Sequence, residues 1–360
     1  MPKEDKRMKA AEALKGLKLD GGWHVDKMVK KPPKGTGGYS SVSYHVSNKD
    51  GTKAFLKALD FSSALQDEDP AKKVLELASA YEHERNLLTQ CKDKRLSHVV
   101  VPLADGVAKV SGIYAPIDRV PYLIFQMAKG DIRDEKEAWM KFEKKFDLAW
   151  ALRCLHHSAI GVQELHSMNI AHQDIKPSNV LVFPVEGSKL TDLGSASQVG
   201  NPSPSEKKMK VSGDVRYAVP EQWYSWSQSP DFENRYIVDL YRLGGLMFFF
   251  FADCSATDAI QLKISIKYGK GFIKTDFISD LPYLQYAFEE SLSDLRTSIE
   301  ELAGDLTDEI VMIAQQLCNP DPRLRGDPTA RAAAYRKQYD IQAYVSRFNK
   351  LARKAELEMI

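Results

Sequence analysis

Residues 172–182 read HQDIKPSNVLV. Asp174, Lys176 and Asn179 stand within six residues and run straight into an apolar strand. Such a loop is suited to phosphoryl transfer, and its outline is equally that of a charged turn before a strand. Past the strand NVLVF comes KLTDLGSA, which adds Asp192. Two carboxylates and an amide near a bound nucleotide are hard oxygen ligands suited to Mg²⁺. Lys176 can balance charge on a transferring phosphate.

The parts that could complete this chemistry lie earlier. GTGGYSSV at 35–42 sits between two strand candidates, and its small residues let backbone amides approach a phosphate. Lys57 follows in the next strand, between Leu56 and Ala58. Buried unpaired it would be costly, so it is either cleft-facing and paired or on a solvent-facing alternate position. Glu84, four residues before Leu88 and near the apolar stripe of a helix expected at 71–90, is the first choice of partner; Glu82 is the reserve.

The elements that must hold these groups change character along the chain. SVSYHV (41–46) and KAFLKALDF (53–61) read as strands joined by a turn ending in Asp-Gly. The 71–90 helix shows Val74, Leu77, Tyr81 and Leu88 on one face; HVVVPL (98–103) and VPYLIFQM (120–127) are further strand candidates. From Phe146 the texture is helical, with Leu148, Leu152, Leu155, Ala159 and Val162 in steps of four and three. Sheet first and helix second is an α+β order that turns over near Gly130. Ile341, Tyr344, Val345, Phe348 and Leu351 form a last helical stripe, expected to pack on the parent domain.

The bulk composition excludes several classes. With 43% apolar and 28% charged residues, the 360-residue chain reads as globular, long enough for one bilobal domain or two ordinary ones. A formal charge of +1 gives no case for non-specific nucleic-acid binding. Cys91, Cys154, Cys254 and Cys318 form no CxxC pair, so a zinc site is disfavoured and free thiols in a reducing compartment are expected. The first twenty residues lack the apolar run of a secretory signal. LGGLMFFFFA (243–252) is about half a membrane span and reads as a core helix. The expected location is cytoplasmic, without integral membrane association.

Taken together and in order, these residues resemble the eukaryotic-type protein kinase family over about residues 23–330. GTGGYSSV matches the glycine-rich loop, AFLK the ATP lysine, HQDIKPSN the catalytic loop, DLG the Mg²⁺ motif and VPE the end of the activation segment. VDLYRLGG (238–245) resembles the central helix whose Asp239 would anchor the catalytic loop; in DPRLR (321–325), Arg325 would pair with Glu221. The resemblance implies a bilobal fold, with a small β-rich N-lobe, a larger helical C-lobe and a nucleotide cleft hinged at about 126–130. Its expected divisions are an extension at 1–22, the N-lobe and hinge at 23–130, the C-lobe at 131–330 and a helical tail at 331–360. The family also implies roles. Asp174 would accept or orient the substrate hydroxyl proton, and Lys176 would stabilise the γ-phosphate. Asn179 and Asp192 would hold Mg²⁺. Gly35, Thr36, Gly37, Gly38, Tyr39, Ser40 and Val42 would surround ATP with Lys57 and its partner Glu84, while Gln126, Met127 and Ala128 would face adenine behind Phe125 as gatekeeper.

Four positions depart from the family. Ser40 replaces the third glycine, a mild change. Phe55 stands where alanine usually covers adenine, unless a slipped register puts Ala54 there. Gln173 replaces the arginine that reads an activation-loop phosphate, which implies activity without phosphorylation at Ser195, Ser197, Ser203, Ser205 or Ser212. Asp214 replaces a threonine; it can pair with Lys176 but would crowd Asp174 with like charge. The aromatic segment 222–237 lies where the family docks substrates, and serves either that or packing. The implied activity is a Ser/Thr protein kinase using Mg-ATP on protein substrates, because Lys176 stands two residues after Asp174. A pseudokinase scaffold and a small-molecule kinase are the alternatives.

Overall fold

The computed structural model describes residues 9–30, 41–113, 117–142, 146–204, 213–226, 233–269, 275–333 and 338–358. The glycine-rich stretch from Gly35 to Ser40, with Thr36, Gly37, Gly38 and Tyr39, lies outside them, as do Ser205, Ser212 and 227–232 of the aromatic segment. Two compact units divide the chain: one holds the residues up to Leu96 and Val100–Ala128, the other Ser97–Val99 and Lys129 onward.

The first unit is a five-stranded antiparallel sheet of β1 (His24–Met28), β2 (Ser41–Ser47), β3 (Lys53–Leu59), β4 (Pro102–Lys109) and β5 (Arg119–Gln126), with helix α1 (Pro70–Asp93). Its strand order is β1-β2-β3-β5-β4. Strand alternation sorts the residues onto two faces. Ala54, Leu56 and Ala58 of β3 are fully buried among Tyr44, Val46, Tyr122 and Ile124. Residues ahead of β1 complete that core. Leu14 and Trp23 are buried in it, and the Tyr44 hydroxyl donates to the Ala11 carbonyl at 2.7 Å. The β2–β3 turn bonds Asn48 to Thr52 across Gly51, whose φ of +85° suits glycine. Helix α1 begins at Pro70, with the Asp69 carboxylate accepting from the Lys72 N–H.

The run HVVVPL is not a strand throughout. Strand β4 starts only at Pro102, and Val99 makes a single parallel bridge to Leu190 in the second unit, to which it belongs. Three consecutive valines carry the propensity of a strand, but among the described residues that bridge is their one strand pairing before Pro102.

The second unit contains β6 (Gly130–Asp131), α2 (Ile132–Phe142), α3 (Leu148–Ser167), β7 (Ile170–Ala171), β8 (Val180–Phe183), β9 (Gly187–Leu190) and β10 (Ser197–Gln198). Helices α4 (Pro220–Trp223), α5 (Glu233–Ala252), α6 (Ala256–Tyr268), α7 (Phe277–Ala303), α8 (Thr307–Leu317), α9 (Pro328–Ala332) and α10 (Gln342–Glu358) follow. Helix α3 carries the apolar stripe read from its spacing, and every member is buried. Helix α5 supplies the centre of this core through Leu243, Met247 and Phe248. Among the described residues, no helix is long and apolar enough to cross a membrane. Helix α10 buries Tyr344, Phe348 and Leu351, and its Glu356 accepts from Arg153 of α3 at 2.6 Å. That stripe therefore packs within its own unit. Strands β6, β8 and β9 form a small sheet whose β8 follows the loop 172–179, and β7, just before that loop, pairs with β10.

Candidate functional site

In the first unit, Lys57 and Phe55 occupy the β3 face opposite the core. The Lys57 ammonium lies 3.0 and 3.1 Å from the two Glu84 oxygens of α1. Glu82 instead pairs with Arg85 at 3.0 Å. Glu84 is therefore the partner of Lys57, and the strand register is not slipped: Ala54 points into the core while Phe55 shares a face with Lys57. Across the strands, Phe55 stands opposite His45 and Phe125. The same register corrects the expected place of Val42. It stands opposite Ala58 and packs against the core, so it does not share the Lys57 face; Ser43 is the residue opposite Lys57. Gln126 closes β5 opposite Ala54, and Met127 and Ala128 end the unit in an irregular stretch.

In the second unit, the loop after β7 is fixed from below by Asp239 of α5. Its two carboxylate oxygens accept the N–H groups of His172 at 2.8 Å and Gln173 at 2.7 Å. That capture accommodates an unusual backbone, since Gln173 has a φ of +59°. Asp239 is wholly buried and also contacts His166 Nε2 at 2.9 Å.

On this support the Asp174 carboxylate meets four donors. Oδ2 accepts from Lys176 Nζ at 2.9 Å and Asn179 Nδ2 at 3.1 Å. Oδ1 accepts from the Asp214 N–H at 2.8 Å and Arg242 Nη1 at 3.0 Å. Asp214 does not aim its own carboxylate at Asp174. That group takes two bonds from Arg216, at 2.8 and 3.1 Å, and lies 3.6 Å from Lys176. Burial works against its charge, yet the Arg216 hydrogen bonds and the charges of Lys176 and Arg216 prevail, holding its carboxyl down to about 2.

Asp192 follows β9 in left-handed backbone, with a φ of 67°. The Thr191 N–H donates to the Asn179 carbonyl at 3.0 Å and the Thr191 carbonyl lies 3.1 Å from His172 Nε2, so the two loops are tied side by side. With Nδ2 engaged by Asp174, Asn179 has its amide Oδ1 as the oxygen for a cation. Among the described residues there is no cluster of three or more His, Cys, Asp or Glu that could hold a metal. One carboxylate and one amide oxygen fit an ion such as Mg²⁺, which keeps waters and phosphate oxygens for its remaining positions.

Farther along, Glu221 and Arg325 make a bidentate pair at 2.8 and 3.0 Å, with both residues buried. Arg325 also donates to the Asn319 carbonyl at 3.0 Å and stacks over Tyr241.

Comparison with known proteins decides the family. The protein kinase domain matches residues 29–334. The chain belongs to the protein kinase family. Its fold class is that of the bilobal kinases, with a sheet-rich first unit and a helical second. The zebrafish (Danio rerio) serine/threonine-protein kinase SBK1 is 37% identical over 100 residues, 27% of this chain and 24% of that protein. Serine/threonine-protein kinase PknA of Mycobacterium tuberculosis is 26% identical over 231 residues, 64% of this chain and 46% of that one. An Aurora kinase of Debaryomyces hansenii is 32% identical over 129 residues, 36% of this chain and 29% of the relative. The chain thus spans less than half the length of these curated relatives. Protein kinases in general use ATP with Mg²⁺ and act on protein substrates.

Two contacts of Asp174 escape a reading of the sequence. Arg242 sits in the apolar run of α5, and its signal is spacing: it follows Asp239 by three, on the same helix face. The Asp214 N–H has no sequence signal at all, because any residue would supply it.

Proposed function

We propose that the chain is a Mg²⁺-dependent Ser/Thr protein kinase that transfers the γ-phosphoryl group of ATP to protein hydroxyls. The observation that carries this reading is the Asp174 carboxylate held with Lys176 and Asn179 on a loop anchored by Asp239. The serine/threonine kinases among its relatives support the choice of hydroxyl.

Asp174 takes the proton of the substrate hydroxyl as that oxygen bonds to the γ-phosphorus, and the electron pair of the broken P–O bond leaves with ADP. Lys176, already beside Asp174, stabilises the negative charge in flight. Asn179 and Asp192 are the residues that would hold Mg²⁺, which when bound neutralises phosphate charge. Lys57, oriented by Glu84, would hold the α- and β-phosphates. The glycine-rich stretch from Gly35 to Ser40 and the segment Gln126, Met127 and Ala128 complete the proposed nucleotide contacts. The residues of both units contribute mainly position and charge. Four cysteines that form no disulfide, three of them buried, support a reducing, cytoplasmic setting.

A pseudokinase scaffold is the second reading, favoured by Phe55, whose bulk shares the Lys57 face where a smaller residue would leave room for adenine. Transfer of label from ATP separates the readings. Incorporation into generic protein substrates or the chain itself supports the kinase. ATP binding without incorporation would support the scaffold, and incorporation into small alcohols or amines alone would point to a small-molecule kinase.

A further inference from the structure

Arg242 is 2% exposed, in the middle of helix α5 and three residues after the buried Asp239. Arginine does not lose its proton in proteins, so this position buries a full positive charge. Such a charge persists only where carboxylates and hydrogen bonds compensate it. One partner is Asp174, whose Oδ1 lies 3.0 Å from Nη1. Asp239 and Asp214 also bear on the guanidinium electrostatically.

The packing around this contact leaves no slack. Gly213 has a φ of +74°, and a Cβ there would lie 2.5 Å from Asp174 Oδ1, 2.6 Å from the Gln173 carbonyl and 2.7 Å from Arg242 Nη1. Only glycine lets the chain lay the Asp214 N–H against the same oxygen that Arg242 holds. The two oxygens of Asp174 are therefore unlike. Oδ1 is gripped by a buried guanidinium and a backbone amide, which stay in place. Oδ2 is shared by Asn179 and the ammonium of Lys176, a flexible point charge free to turn toward a phosphate.

We propose that Arg242 is a positioning residue for Asp174: it clamps Oδ1 and leaves Oδ2 as the oxygen that meets the substrate hydroxyl. This rests on the kinase reading for its catalytic consequence, while the charge coupling itself is independent of it.

Two measurements test the proposal on the full chain. In kinetics, Arg242→Met lowers kcat by about 30-fold or more with KM for ATP within about threefold, whereas Arg242→Lys keeps kcat within about tenfold. Equal losses in the Met and Lys variants would overturn the positioning role. In thermal unfolding, the cycle of Arg242→Met with Asp174→Asn reads the pair without any activity. A double variant that melts well above the additive expectation supports the clamp, and strict additivity overturns it. If the wild type transfers no phosphate, the kinase reading falls while the unfolding cycle still decides the pairing; if Arg242→Met does not fold, folding of the double variant with Asp174→Asn supports the coupling and failure of both contradicts it.

Discussion

Gln173 donates from Nε2 to the hydroxyl of Ser197 at 2.9 Å, and both residues are buried. The same nitrogen reaches the Ser195 carbonyl at 3.2 Å, and the Ser197 hydroxyl in turn accepts the Ser203 N–H at 2.9 Å. The segment after Asp192 is thus held to the loop 172–179 by neutral hydrogen bonds. Ser197 and Ser203 are fully buried, so they are structural hydroxyls and poor sites for modification.

Replacing Ser195, Ser205 and Ser212 together by Ala should keep the transfer rate on an outside substrate within about threefold. A loss of about a hundredfold, restored by acidic replacements, would show that a phosphate is required after all. Gln173→Met should cost about 1–3 kcal/mol in a denaturant titration, because it removes the bonds to the Ser195 carbonyl and the Ser197 hydroxyl.

Much of this was legible in the sequence, and the reasons differ by residue. Asp174, Lys176 and Asn179 are close in the chain, so local spacing places them; Glu84 is found because a helix face has a fixed period. The Glu221–Arg325 pair was legible only through family resemblance, since 104 positions separate the two. Val42 was misplaced because its face depends on pairing register, which the Asn48–Thr52 turn sets and the motif does not. The burial of Leu14 and Trp23 went unread among lysines and glycines whose composition suggests only an extension. Arg242 was hidden because an arginine in a helix looks like any helix-edge residue until its partner, 68 positions away, is known.

The Glu221–Arg325 pair is buried and bidentate, so removing one partner leaves an uncompensated charge. Arg325→Met should lower unfolding free energy by about 3–5 kcal/mol, read by denaturant midpoint. Simultaneous Glu221→Gln should recover part of that loss. A single-variant effect below about 1 kcal/mol would mean that the pair is solvated.

The histidines of the second unit set an acid limit. The rings of His98 and His157 stand 4.9 Å apart, those of His156 and His157 5.6 Å, and the Ser188 N–H donates to His157 Nδ1 at 3.2 Å. Burial, aided by Arg153 and by the neighbouring rings, pulls His156 down to about 4 and His157 to about 3. Burial also lowers His98, against the pull of Glu164; Lys189 adds to the lowering, while Glu356 opposes that at His156. The unfolded chain takes up these protons first, near pH ~6.5. The contribution to stability is therefore complete above about pH 6.5 and is lost as pH falls toward the folded values. Denaturant midpoints should decline between about pH 7.5 and 5, and His156→Gln with His157→Asn should flatten that decline. An unchanged slope would contradict it.

Lys57→Met should depress transfer by about a hundredfold or more with little change in melting temperature, since its side chain is 31% exposed and faces away from the core. A large fall in melting temperature with transfer retained would assign the Lys57–Glu84 pair to structure alone.

The most direct measurement is transfer of labelled phosphate from Mg-ATP to a protein substrate by the wild type and by Asp174→Asn, with ATP binding measured alongside. Asn cannot take the hydroxyl proton, so transfer should fall by about a thousandfold while ATP affinity stays within a few-fold. Transfer by Asp174→Asn within a few-fold of the wild type would contradict the role assigned to this residue.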